Sequence, residues 1–340
     1  MNRIRVLYAA AFLMGLVATP LAAEDAPKKK VMCTLPVLKA IADELNGGAF
    51  EITALAKPDQ DPHTVSPTPS LMKKLREAEL FVEIGLQLEL WADEVANGSG
   101  NPALARGGKG RIVASAGIPR EEVPAVVSRS EGDVHPEGNP HLWLDPLRAK
   151  TVAENIAAGL KGVAPAQVAD IDARLKAFQG KIDAAMFGPD LLKEAGARSL
   201  TRKALDGSLF AWLEEKKLAD KLGGWMRKAR PLRGQKMVEF HKSWVYLAKT
   251  FGFEIVGSVQ PKPGIEPGPQ HLQALADLVR DQKVRVILVD NFYSLANPNA
   301  LAEQTGAKVA VVPNQPGGEG TADYAAFIDR VLDTLLEASR

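Results

Sequence analysis

The chain has 340 residues, of which 46% are hydrophobic and 24% are charged, and this length and composition favour two folded domains over a disordered polymer. Its 42 basic and 41 acidic side chains leave a formal charge of +1, so it lacks the basic excess that proteins use to bind nucleic acid. The single cysteine excludes a disulfide scaffold and a cysteine-based zinc site. Any transition metal must therefore be held by carboxylates and by the five histidines.

Residues 1–23 have the layout of a secretory signal peptide. Arg3 and Arg5 form a basic start, an apolar run follows over residues 6–17, and small residues end the segment at Ala23. The apolar run is about a dozen residues long, whereas a membrane-spanning helix needs about 20. We therefore expect export, cleavage after Ala23 and a soluble mature protein in the periplasm.

From residue 24 onward, short strand-like runs alternate with helical patterns, which predicts parallel sheets with helical crossovers. Each half of the chain carries four such runs. In the first half they are 31–35, 51–55, 80–84 and 111–114, and in the second half 236–240, 254–258, 284–290 and 308–312. We predict an α/β fold with two lobes, each built on a small, mainly parallel sheet flanked by helices.

A long amphipathic helix is predicted at 165–187, between the two lobes. Its apolar residues recur at steps of three and four along the chain, as Ile171, Leu175 and Phe178 illustrate. As a connection between an N-terminal lobe at 24–164 and a C-terminal lobe at 188–340, it would restrict how far the lobes can swing. The alternative is a surface helix of one larger domain. Within the C-terminal lobe, the charged stretch 189–231 is predicted to be a helical insertion.

Three histidines and one aspartate are the candidate metal ligands. His63 lies in the loop after the second strand, His241 directly follows the first strand of the second lobe, and Asp290 ends the third strand of that lobe. Because ligands bind beyond the carboxyl ends of parallel strands, these positions predict a common site. His141 lies in no strand and would reach the site from a polar loop. Three imidazoles and one carboxylate suit tetrahedral Zn²⁺.

The segments around these histidines resemble the signature segments of periplasmic zinc- and manganese-binding proteins of ABC importers, the TroA-like family. They read DPHTVSPTPS at 61–70, NPHLWLDP at 139–146 and FHKSW at 240–244. The resemblance covers most of residues 31–340. It implies two α/β lobes joined by one long helix, a metal held between them, and an ABC permease with its cytoplasmic ATPase as partners. The histidine in the third segment is the zinc-like form, in keeping with the preference of zinc for nitrogen ligands, and Mn²⁺ is the alternative cargo.

The chain departs from this family at the fourth ligand. The usual aspartate lies in the loop after the last strand, where residues 312–318 read VPNQPGG and hold no carboxylate. We therefore predict Asp290 as the fourth ligand. The alternatives are a water molecule and three other acidic residues: Glu239, Glu319 and Asp323.

The other two histidines are not predicted to be ligands. Many zinc-binding members carry a long histidine-rich loop at 128–138, but here this segment holds one histidine, His135. We expect at most a transient contact between His135 and the metal. His271 lies in the first turn of a predicted helix, where we expect it to face solvent. Trp143 and Trp244 closely follow predicted ligands and are expected to pack around the site.

Three functions fit this pattern. The first is a binding protein, expected to be a monomer, that captures Zn²⁺ in the periplasm and delivers it to the permease. The second is a zinc-dependent hydrolase, since three histidines can hold a catalytic zinc with an open position. The third is an extracellular adhesin built on the same fold. Because the sequence lacks a His-Glu-x-x-His motif and a Gly-x-Ser-x-Gly turn, we predict the first function and no enzymatic activity.

Overall fold

The computed structural model describes residues 27–124, 135–262, 264–318 and 320–340. The predicted signal peptide and Glu319 lie outside these ranges. Among the residues inside them, no helix combines the length and the apolar character that crossing a bilayer requires.

The first lobe is built on a parallel sheet of four strands in the order β2-β1-β3-β4. The strands are β1 (Lys29–Cys33), β2 (Phe50–Ala54), β3 (Leu80–Glu83) and β4 (Arg111–Val113). Its helices are α1 (Pro36–Glu44), α2 (Pro69–Arg76), α3 (Leu90–Ser99) and α4 (Pro146–Val163). Strand β1 ends two residues earlier than predicted, because Pro36 begins α1 and the chain must leave the sheet before it.

The predicted long helix is α5 (Val168–Phe187), which is 20 residues and about 30 Å long. It begins three residues later than predicted, because Pro165–Gln167 forms a 3₁₀ turn. Helix α5 ends before Gly188, whose φ of 77° places it in the left-handed region. Four short helices follow, namely α6 (Pro189–Ala195), α7 (Ala197–Leu205), α8 (Leu209–Lys216) and α9 (Gly224–Lys228). Because α5 packs against both α4 and α9, it joins the two lobes. The predicted boundaries of the lobes and of the insertion stay predictions.

The second lobe repeats the architecture of the first, with strand order β6-β5-β7-β8 and parallel pairing throughout. Its strands are β5 (Lys236–Glu239), β6 (Glu254–Ser258), β7 (Val286–Asp290) and β8 (Lys308–Val312). Its helices are α10 (Val245–Phe251), α11 (Pro269–Asp281), α12 (Ala296–Thr305) and α13 (Tyr324–Ala338).

The two lobes share buried contacts. Trp143 of the first lobe donates its Nε1–H to the carbonyl oxygen of Asn314 at 2.9 Å, and the Tyr324 hydroxyl donates to the carbonyl oxygen of Trp143 at 2.8 Å. The backbone N–H of Val37 donates to Oε1 of Gln315 at 3.1 Å. Hydrophobic side chains from both lobes and from α5 form one continuous core. Wide separation of the lobes would expose this core, so these contacts favour a fixed spacing.

Candidate metal centre

Three histidines converge between the lobes. His63 lies in the loop between β2 and α2, His141 precedes a short 3₁₀ turn before α4, and His241 follows β5. One ring nitrogen from each lies within 4.8 Å of the others. The ring centroids are 5.0 to 5.3 Å apart. The structure thus brings together the three histidines that the sequence singles out, and their role as metal ligands stays a prediction.

Residues two positions earlier orient the first two imidazoles. The Nδ1 atom of His63 lies 2.8 Å from Oδ1 of Asp61, and that of His141 lies 3.0 Å from Oδ1 of Asn139. The same oxygens accept the backbone N–H groups of the two histidines at 2.9 Å. Because these oxygens are acceptors, each Nδ1 carries the proton and each Nε2 keeps a free lone pair. In the Asp-Pro-His and Asn-Pro-His segments, the first residue therefore orients the histidine that follows it.

His241 is oriented by a residue that the sequence does not mark. Its Nδ1 atom lies 3.2 Å from Oε1 of Gln260, which comes 19 positions later in the chain. Gln260 is itself held by its backbone N–H, which donates to the carbonyl oxygen of Phe240 at 2.8 Å. The Nε2 atom of His241 is buried and finds no hydrogen-bond partner among the described residues. A buried polar atom without a partner is costly, and a cation at the centre of the cluster would satisfy this one.

The buried imidazoles are neutral at physiological pH. Burial, followed by repulsion from His63, lowers the pKa of His241 to about 3 and holds the pKa of His141 well below 6.5. Neutral imidazole is the form that binds metals, so protons compete weakly for these two nitrogens near pH 7.

Asp290 ends β7, as predicted, but among the described residues it is not part of the group of side chains whose ligand atoms lie within 4.8 Å of one another. The residue is fully buried. Its Oδ1 accepts from Nδ2 of Asn314 at 2.7 Å, and its Oδ2 accepts from the Ser243 hydroxyl at 3.4 Å. Burial raises the pKa of its carboxyl group to about 7. The carboxylate is thus engaged within the second lobe, and its role as the fourth ligand stays a prediction.

The alternative carboxylates are engaged elsewhere as well. Glu239 accepts the backbone N–H of Trp244 at 3.1 Å and the Ser258 hydroxyl at 3.4 Å. Asp323 caps α13 by accepting the backbone N–H of Ala326 at 2.8 Å. In the part of the chain that the structure describes, neither carboxylate joins the histidine cluster.

A fourth imidazole lies beside the cluster. The Nε2 atom of His135 is 3.2 Å from Nε2 of His63, and the residue is only 9% exposed. The sequence signal for this residue is weak, because it lies in a polar loop away from the strand ends and outside the three signature segments. His271 does not face solvent as expected. It is partly buried, and its Nε2–H donates to the carbonyl oxygen of Ser258 at 2.9 Å.

The two predicted packing tryptophans are both fully buried. The ring of Trp143 lies against that of His141, with a centroid separation of 5.2 Å. Its hydrogen bond to Asn314 ties this ligand-bearing segment to the second lobe. Trp143 therefore packs behind the histidine cluster and links the lobes.

The model of the ZnuA family, described as "Zinc-uptake complex component A periplasmic", matches residues 31–186 and 215–338, which is well over half of the chain. The chain belongs to the ZnuA family. The matched regions include all three clustered histidines and leave out residues 187–214, which contain helices α6 and α7.

Relatives within this family carry different metal names. The "Iron-binding protein YfeA" of Yersinia pestis is 25% identical over 98% of this chain and 95% of its own length. The "Zinc-binding protein AdcA" of Streptococcus pyogenes is 23% identical over 91% of this chain, which spans only 55% of that longer relative. The crystal structure of ZnuA is 21% identical, has a TM-score of 0.68, and covers 92% of this chain and 100% of its own.

Membership of the ZnuA family confirms the predicted fold of two parallel sheets flanked by helices and joined by a long helix. Proteins of this family are periplasmic metal-binding components of ABC import systems, which work with a permease and an ATPase. They are solute-binding proteins and not enzymes, so the hydrolase alternative is excluded.

Proposed function

We propose that this protein captures Zn²⁺ between its two lobes and delivers it to the permease of an ABC importer. The observation that carries the proposal is the convergence of His63, His141 and His241, each with its Nδ1 beside an oxygen and with one ring nitrogen within 4.8 Å of the others. Neutral nitrogen ligands favour zinc, whereas manganese favours oxygen. The competing assignment is a member that carries manganese or iron, and the iron-binding name of YfeA supports it.

The shared core determines how the metal would enter and leave. His63 and His141 belong to the first lobe and His241 to the second, so a bound ion would bridge the lobes. Because buried hydrogen bonds already join them at Trp143 and Gln315, we propose that release needs only local movement of the histidine-bearing loops. The permease would then act on these loops and leave the relative position of the sheets nearly unchanged.

We also propose that residues 1–23 direct the chain to the periplasm and are removed after Ala23, and that the mature protein is a monomer. The basic start, the apolar run and the small residues at the end of the segment support its role as a signal peptide. Mass spectrometry of the protein from a periplasmic fraction tests it, with Glu24 as the expected first residue. Retention of Met1 would contradict it.

The metal preference is expected to depend on the nitrogen at position 241. We expect the parent protein to bind Zn²⁺ more tightly than Mn²⁺ in matched buffer. The His241→Asp variant, which offers oxygen instead of nitrogen, is expected to reduce the ratio of the two affinities roughly tenfold. Competition titrations against a chromophoric chelator measure both constants. Tighter binding of Mn²⁺ by the parent, or an unchanged ratio in the variant, would contradict the zinc assignment.

Gln260 is expected to matter although it reaches the site only through His241. Replacing it with leucine removes the oxygen that holds the His241 tautomer, so zinc affinity should fall roughly 10- to 100-fold, as is typical when a residue that orients a metal ligand is lost. The matched control is Gln273→Leu, an exposed residue of α11 whose side chain bonds Asp277. Equal zinc affinities of the two variants in the same titration would show that Gln260 does not orient the ligand.

A further inference from the structure

We propose that His135 supplies the fourth ligand, so that four imidazole nitrogens and no carboxylate hold the metal. This inference rests on the proposed function of the cluster. His135 would take the place of Asp290, which the sequence predicts as the fourth ligand. His135 lies outside the three signature segments.

His63 and His135 are close enough for both to bind one metal ion. Their Nε2 atoms are 3.2 Å apart. In a tetrahedral zinc site with Zn–N bonds of roughly 2.0 to 2.1 Å, two nitrogen ligands lie about 3.3 Å apart. The hydrogen bond between His63 and Asp61 places the proton of His63 on Nδ1, so its Nε2 presents a lone pair to His135. A metal ion bound by both nitrogens would therefore fit with little change in their separation.

The chain on the C-terminal side of His135 is anchored, which fixes the backbone that carries this imidazole beside the cluster. The carbonyl oxygen of His135 accepts the backbone N–H of Gly138 at 3.1 Å, and the backbone N–H of Asn139 donates to the carbonyl oxygen of Glu121 at 2.8 Å. Gly138 has a φ of 108°, and a Cβ atom there would lie 3.0 Å from the carbonyl oxygen of Glu121. This turn requires glycine, and it joins His135 directly to the segment that bears His141.

The first lobe also forms a wall beside the ring. The backbone of Leu86 and Gln87 lies next to the His135 imidazole. Both residues have positive φ angles, 55° and 62°, which residues other than glycine rarely adopt. Buried Glu89 holds this turn, because its carboxylate accepts the backbone N–H groups of Ile84 at 2.8 Å and Gly85 at 3.1 Å. An unusual backbone conformation is thus maintained where it borders the fourth imidazole.

The contacts of Asp290 favour His135 over the predicted carboxylate. Asp290 is held within the second lobe, where its Oδ1 accepts from Asn314, whereas Nε2 of His135 lies 3.2 Å from Nε2 of His63, itself a proposed ligand atom. Four neutral nitrogens close a tetrahedral sphere, which suits zinc and leaves no position for a catalytic water. The set offers no oxygen ligand of the kind that manganese prefers.

The test is zinc X-ray absorption spectroscopy combined with competition titrations on the full mature chain loaded with Zn²⁺. The parent is expected to show four imidazole ligands. His135→Ala should show three imidazoles and one oxygen, with zinc affinity reduced at least roughly tenfold, and His135→Asp should also replace one imidazole by oxygen. Asp290→Ala and the control His271→Ala should keep four imidazoles.

The His241→Ala variant separates failure of this inference from failure of the proposed function. If His241→Ala loses zinc affinity while both His135 variants keep the ligand set and affinity of the parent, the three-histidine site stands and His135 is not a ligand. A lost oxygen ligand in Asp290→Ala would likewise overturn the inference in favour of the carboxylate. If His241→Ala binds zinc as tightly as the parent, the proposed function itself fails.

Discussion

Replacing His241 with alanine is expected to weaken zinc binding by more than roughly 100-fold, which is beyond the usual effect of losing a residue that only orients a ligand. His241 is the one member of the cluster that comes from the second lobe. Without it, a bound ion would contact the first lobe alone, and removal of the imidazole would leave a buried cavity beside the ion. Titration of the metal-free protein with Zn²⁺ in the presence of a competing chelator measures the change.

The matched control for this prediction is His271→Ala. His271 belongs to the same lobe, but it lies on α11 and bonds the backbone of Ser258 outside the cluster. A thermal denaturation series adds a second readout. Zinc at 100 times its dissociation constant should stabilise the parent and the control by about 2.7 kcal/mol and should stabilise His241→Ala far less at the same concentration. Equal stabilisation of all three proteins would contradict a metal site at His241.

Replacing Trp143 with alanine is expected to cost about 3–5 kcal/mol of unfolding free energy in the metal-free protein. The side chain is fully buried, so its removal leaves a large cavity. The change also removes the hydrogen bond that the indole donates to Asn314 across the two lobes, leaving a buried carbonyl oxygen with one partner fewer. Urea unfolding, followed by circular dichroism, measures the loss.

The control for Trp143 is Trp212→Ala. Trp212 lies on α8, is only partly buried, and packs its ring beneath the Lys203 ammonium at 5.0 Å. Trp212→Ala should therefore reduce the free energy of unfolding much less than Trp143→Ala does. Zinc affinity should also fall in Trp143→Ala, because the indole packs against the ring of His141, and should be unchanged in Trp212→Ala. If both variants lost equal stability, the proposed role of Trp143 in joining the lobes would be wrong.

The repeating pattern of strands and helices could be predicted because it depends on local properties. Alternating apolar runs, the prolines that begin α1 and α2, and the apolar stripe of α5 are all visible within short windows of sequence. The errors are at boundaries, as at β1, where the approach of a helix start ends the strand early. At this boundary two local signals compete, because Thr34 and Leu35 continue a strand-like run but directly precede the proline that begins α1.

The fold class could be predicted from local strand and helix patterns, and the three histidines could be predicted from their positions in the chain. His63 and His141 lie in Asp-Pro-His and Asn-Pro-His segments that carry their own acceptor oxygens, and His241 directly follows a predicted strand. The partners of the other side chains depend on contacts between residues that are far apart in the chain. Gln260 reaches His241, Asn314 binds Asp290, and His135 meets His63 across 72 positions of sequence. Each of these contacts joins two parts of one lobe that are far apart in the chain, so its distance depends on how the sheet of that lobe places its loops. No local pattern of residues encodes such distances, so these contacts could not be predicted from the sequence.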